Sequence, residues 1–152
     1  MNCNPQKFSR KEMADFYERL ILLWENGDLL NQKFNIRSSK VYRRLKNEHA
    51  FEIHALDTIA DMTAEYAKFD FSLSQPPGNV IYLHNAKKNI LKSYFYHIRN
   101  VAGHAHIKKQ KVGNAYWYIF DHAYQNQIKL FGAFKSVEFW KVHEELINLR
   151  GK

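Results

Sequence analysis

The run Ser74-Gln75-Pro76-Pro77-Gly78-Asn79 is the strongest constraint on how this chain can fold. Two successive prolines remove two amide donors and clash with any preceding helical turn. The glycine that follows favours a turn, so continuous helix is forbidden here. The run is too short to link two independent cores, and 152 residues suit one domain with a real core. We therefore expect a single domain over residues 1–152, made of two helical halves.

The first half reads as helical. Ser9 followed by Glu12 is a capping box, and Phe16, Leu20, Leu23 and Trp24 recur at helical spacing up to a stop at Gly27. Ser38-Ser39 open a second, polar helix through Val41, Tyr42 and Leu45. Phe51, Ala55, Leu56, Ile59, Met62 and Tyr66 mark a third over about 48–69. In the second half, Ile90, Leu91, Tyr94, Phe95, Ile98, Val101, Ala102 and Ala105 form one apolar stripe. They predict a fourth helix over about 80–106. The period then changes. Tyr, Trp, Ile and Phe are strand formers, and polar turn residues follow at 121–127, so residues 115–134 read as a β-hairpin. Ser136 opens a C-terminal helix carrying Phe139, Trp140, Val142, His143 and Leu146. The fold class expected is mainly α: a helical bundle with one small hairpin.

Charge narrows the partners. The formal net charge is +8, which favours polyanions, nucleic acid first and an anionic membrane surface second. One cysteine, Cys3, supports neither a disulfide framework nor a cysteine zinc site. No apolar run approaches the roughly 20 residues needed to span a bilayer. "MNCNPQKFSRKE" contains no apolar signal region, so a reducing cytoplasm is the expected compartment.

The chemistry gathers at the end of the fourth helix. On a helical wheel Tyr96, His97, Arg99, Asn100, Gly103 and His104 fall off the apolar stripe and form a second face, with His106 at its edge. Gly103 either ends the helix or admits a close backbone neighbour, which suggests a second copy of the chain.

Arg99-Asn100-Val101-Ala102-Gly103-His104 resembles the Arg-polar-x3-His motif of the HEPN superfamily. These are all-α domains, usually dimeric, and many are metal-independent endoribonucleases of toxin–antitoxin and antiviral defence systems. The resemblance implies RNA as substrate, a homodimer with a composite cleft, an antitoxin or defence-system partner, and no cofactor or metal. It assigns Arg99 to the charge on the phosphorane, His104 to proton transfer and Asn100 to orientation. Those residue types suit the chemistry. RNA brings its own 2′-hydroxyl nucleophile, imidazole carries protons near neutral pH, and a planar guanidinium holds phosphate oxygens. Tyr96, His106, Lys108, Lys109 and Lys111 are the candidate RNA-binding residues. Arg44 and His49 repeat the bare spacing but lack the polar second residue.

Two alternatives stay open. One is a HEPN-like module that binds nucleic acid or protein without catalysis. The other is a metal-dependent enzyme using His104 and His106, with Asp121-His122 downstream as further ligands.

Overall fold

A computed structural model of the chain describes residues 5–26, 36, 40–75 and 78–149. Gly27, Ser38-Ser39, Pro76-Pro77 and Cys3 therefore lie outside the described residues. The elements run β1 (Pro5–Gln6), α1 (Arg10–Asp15), a π-helical segment (Phe16–Ile21), α2 (Leu22–Asn26), α3 (Lys40–His49), β2 (Phe51–Leu56) and α4 (Ile59–Lys68). Then come β3 (Asn79–His84), α5 (Ile90–Gly103), β4 (Ile107–Val112), β5 (Ala115–Tyr124), β6 (Gln127–Lys135) and α6 (Ser136–Asn148).

The expectation of a mainly α bundle is overturned. The strands form one six-stranded mixed sheet in the order β1-β4-β5-β6-β3-β2, with helices packed on it. β2 and β3 run parallel, joined through α4, and every other pairing is antiparallel. The pair at 115–124 and 127–135 is a hairpin, but it forms the middle of the sheet rather than an appendage. Its turn residues Gln125 and Asn126 both have positive φ, the backbone of a two-residue hairpin turn that matches strand twist.

Two stretches read as helix are partly strand, for one physical reason. Val80 to His84 is a short apolar run in a strand with neighbours on both sides, and α4, α5 and α6 all lie against β3 or its partner β6. A strand covered on both faces shows no alternation, and a run this short fits helix equally well. Helix begins only at Ile90, where the Asn89 side chain accepts from the Lys92 amide at 2.9 Å. Phe51 to Leu56 likewise carries apolar residues at spacings shared by both periods. The helix beyond it starts at Ile59, capped by Thr58.

The sheet separates two cores. Alternation along β5 sends Tyr118 and Phe120 into the larger one, with Phe16, Leu20, Leu45, Leu91, Phe95, Phe134, Phe139 and Leu146. Trp117 and Ile119 point the other way, toward Leu73, Val112 and Ala133. At Gly132 β6 approaches β3 so closely that a Cβ would sit 2.1 Å from the Val80 carbonyl oxygen. The predicted Ser9–Glu12 capping box is present.

Inside the larger core a buried chain of bonds holds the π-helical segment. His143 Nε2–H donates to the Arg19 carbonyl at 2.9 Å, so Nδ1 carries the lone pair and accepts from the Tyr94 hydroxyl at 2.9 Å. Burial drives the His143 pKa down to about 4 and raises that of Tyr94. This tie between α5, α6 and a carbonyl of the π-helical segment is paid for by desolvating both side chains.

Candidate functional site: a histidine cluster beside a cationic cleft

The site starts from how α5 ends. The His106 amide donates to the Val101 carbonyl at 2.9 Å and the Ala105 amide to Ala102 at 3.2 Å. This is the double bond pattern of a Schellman cap, which requires a left-handed residue between the helix and the next strand. That residue is Ala105, at φ 56°, and not Gly103, for which a capping role is one of two readings. The cap reverses the chain within three residues. His104 and His106 therefore flank one sharp turn, and β4 starts immediately after it. A non-glycine residue at such a φ stores roughly 1 kcal/mol of strain. Ala105→Gly should therefore stabilise the protein by about 1 kcal/mol, measured as a raised midpoint in urea unfolding.

His122, on β5 across from β4, completes the cluster. Its Nδ1 lies 2.7 Å from Nδ1 of His106. One of these nitrogens must carry the hydrogen and the other its lone pair, so two imidazolium rings cannot coexist here. Burial first, then the charges of His106, His104 and Lys129, push the His122 pKa down to about 4. His122 is only 2% exposed, whereas His104 faces solvent. The His104 ring is nearly parallel to both partners, with centroids 5.7 Å from His106 and 5.8 Å from His122.

A cleft of about 510 Å³ opens beside this cluster, bounded by the last turns of α5, the turn after β3 and the tip of the β5–β6 hairpin. Lys129 and Lys87 line it. Lys129 reaches it because the strand register shifts. His122 pairs with Leu130 but Ala123 pairs with Ile128, so Lys129 is the extra residue of a β-bulge. Bulges of this kind re-aim a side chain that simple alternation would send to the opposite face. Lys87 lies 4.2 Å over the Tyr96 ring.

No family model, curated protein or solved structure matches this chain. The chemistry is therefore read from the geometry alone, and the HEPN resemblance keeps only its six-residue motif.

The sequence-predicted residues are divided by the fold. His104, Asn100 and Tyr96 line the cleft, and His106 joins the cluster through His122. Arg99 does not line it. Its guanidinium donates to Glu25 of α2 at 2.9 and 2.6 Å and to Asn100 Oδ1 at 3.3 Å. A Cβ on Gly103 would approach that guanidinium to 3.1 Å, so the glycine gives Arg99 room to lie along the helix end. Trp24 of α2 packs on Tyr96 at 5.4 Å. The lysines of β4 also lie apart from the cleft. Lys109 is paired with Glu12 at 2.6 Å, Lys111 lies 5.7 Å from the Tyr116 ring, and Lys108 alternates to the opposite face. Arg44 and His49, on α3, bond Glu145 and Glu138 of α6.

Sequence reasoning missed Lys87 and Lys129 and weighed His122 only as a metal ligand. Asp121 bonds the Tyr66 hydroxyl at 3.0 Å on the α4 side of the sheet, because neighbours on a strand face opposite ways. Among the described residues no three His, Cys, Asp or Glu side chains are grouped to hold a metal ion. Two nitrogens on one tetrahedral zinc would stand about 3.3 Å apart. The His106–His122 contact is a hydrogen bond by its length.

Proposed function

We propose that this protein is a metal-independent endoribonuclease of the cytoplasm whose proton carriers are His104 and the His106–His122 pair. The observation that carries the reading is the 2.7 Å Nδ1–Nδ1 contact, with a third imidazole ring nearly parallel to it at the rim of a cleft holding two lysines. Cleavage by 2′-hydroxyl attack needs one group to take the hydroxyl proton and another to protonate the 5′-oxygen that leaves. His104 supplies one and the coupled pair supplies the other. His122, held neutral by burial, fixes the ring of His106 and limits the pair's proton load. The products are a 2′,3′-cyclic phosphate and a 5′-hydroxyl.

The cation for the phosphorane is Lys129 in this reading, since Arg99 is engaged by Glu25. Removing one preorganised donor aimed at developing negative charge costs about 2.7–4 kcal/mol in an oxyanion hole. In single-turnover cleavage with EDTA present, Lys129→Ala should lose roughly 10²-fold or more in rate. Arg99→Ala should lose less than about tenfold, through a looser Asn100. The opposite ranking would return the charge-stabilising role to Arg99. All the groups invoked come from one chain, so activity should be first order in protein, with a rate per molecule that does not change on dilution.

The +8 charge and the lysines outside the cleft favour general attraction to RNA. Among the described residues no helix is long and apolar enough to cross a membrane.

A further inference from the structure

We propose that the cleft is a nucleobase subsite, in which an unpaired base stacks on Tyr124 and presents its edge to Asn100 and His97. The proposal takes the class of ligand, single-stranded RNA, from the ribonuclease reading above, but Tyr124, Asn100 and His97, which carry it, are no part of the proton-transfer cluster.

Three observations converge. Tyr124 is 54% exposed at the hairpin tip, although it lines the cleft. A large aromatic ring left bare at the mouth of a cationic cleft contributes nothing to the core and offers a π-face to a base. Next, Asn100 has a fixed amide orientation. Its Oδ1 accepts from the Arg99 guanidinium, which leaves its Nδ2 hydrogens as the group to offer a ligand.

Finally, His97 is 1% exposed and donates its Nε2–H to the His84 carbonyl at 2.7 Å, while its Nδ1 has no hydrogen-bond partner among the described residues. A buried acceptor left unpaired is costly, and a ligand donor at the cleft would satisfy it. His97 and Asn100 are three residues apart on α5, hence neighbours on one helix face. Together they offer one fixed acceptor beside one fixed donor. Every nucleobase carries a complementary donor–acceptor pair in one rigid plane on its Watson–Crick edge, whereas the ribose-phosphate backbone has only its 2′-hydroxyl as donor, on a flexible chain. Base pairing would hide that edge, so the subsite admits single strands only.

The test is binding, kept apart from cleavage by using DNA, which lacks the 2′-hydroxyl nucleophile. Fluorescence anisotropy would compare eight-nucleotide dA, dC and dT strands with an abasic strand of the same length and charge, and with a duplex. At least one homopolymer should bind about tenfold or more tighter than the abasic strand and the duplex. Tyr124→Ala should remove that advantage and Tyr124→Phe should restore it. Tyr124 is exposed, so its truncation leaves the fold intact. Equal binding of abasic and base-bearing strands would overturn the subsite while leaving the ribonuclease reading to its own assay. A protein inert toward RNA that still prefers bases would sink the ribonuclease reading and keep the subsite.

Discussion

His104→Ala and His106→Ala should each slow RNA cleavage by about 10²- to 10⁴-fold, the usual cost of removing a positioned proton-transfer group. The two should not behave alike in stability. His104 is exposed and packs no core, so its truncation should shift the unfolding midpoint little. His106 is the hydrogen-bond partner of buried His122. Its loss leaves a buried imidazole nitrogen unsatisfied, at about 1–3 kcal/mol. The double variant should lose far less than the product of the single losses, because groups acting as one unit are not additive. His49→Ala removes a histidine of the second Arg-x4-His match, which bonds Glu138 of α6 away from the cleft, and should leave cleavage unchanged. Single-turnover rates on one labelled RNA, with circular dichroism on each variant, would resolve the pattern.

The second large effect is on stability in mild acid. His97, His122 and His143 are buried, and burial holds each pKa down to about 4. In the unfolded chain each would titrate near 6.5. Between these values the unfolded state binds more protons than the folded one, so stability rises with pH through that window. The contribution is complete above about pH 6.5 and is lost as pH falls toward 4. Each histidine supplies a slope of up to about 1.4 kcal/mol per pH unit, and about 3 kcal/mol across the window. Against a typical domain stability of about 5–15 kcal/mol, three such groups should remove a large share of it by pH 4. Urea titrations at pH 4.5 to 7.5 would measure the slope. His143→Gln can keep a donor for Arg19 and an acceptor for Tyr94 but does not titrate, so it should reduce the slope by one proton. An unchanged slope in that variant would mean His143 is already charged or exposed in the native protein.

How much of this was legible in the sequence depends on the length scale of each signal. The Ser9–Glu12 cap and the apolar stripe from Ile90 onward are local and periodic, and both are present. Residues 115–135 changed period visibly, so the hairpin could be read. Its place at the middle of a sheet could not, because the neighbouring strands β3 and β4 give no alternation of their own. β3 is covered on both sides, and β4 carries Lys108, Lys109 and Lys111 between its only buried residues, Ile107 and Val112. A lysine-rich stretch of this kind looks like a solvated loop until its partners are known.

The same limit applied to the site. His104, His106 and Asn100 could be singled out because they crowd one helix end. His122 lies 16 residues beyond His106 and comes near it only through β4–β5 pairing. Lys129 enters the cleft through a bulge, a one-residue irregularity with no composition signature. Arg99 carried the motif in the sequence, but its ion pair with Glu25 spans 74 residues of chain and depends on how α2 packs.

The most direct test of the central claim is the mass of the cleavage product. A short single-stranded RNA incubated with the protein in excess EDTA should yield a 5′ fragment ending in a 2′,3′-cyclic phosphate and a 3′ fragment starting with a 5′-hydroxyl. Attack by the RNA's own 2′-hydroxyl, assisted only by imidazole and lysine, leaves those ends. Fragments ending in a 3′-hydroxyl with 5′-phosphate partners, formed only when a divalent cation is restored, would contradict the account.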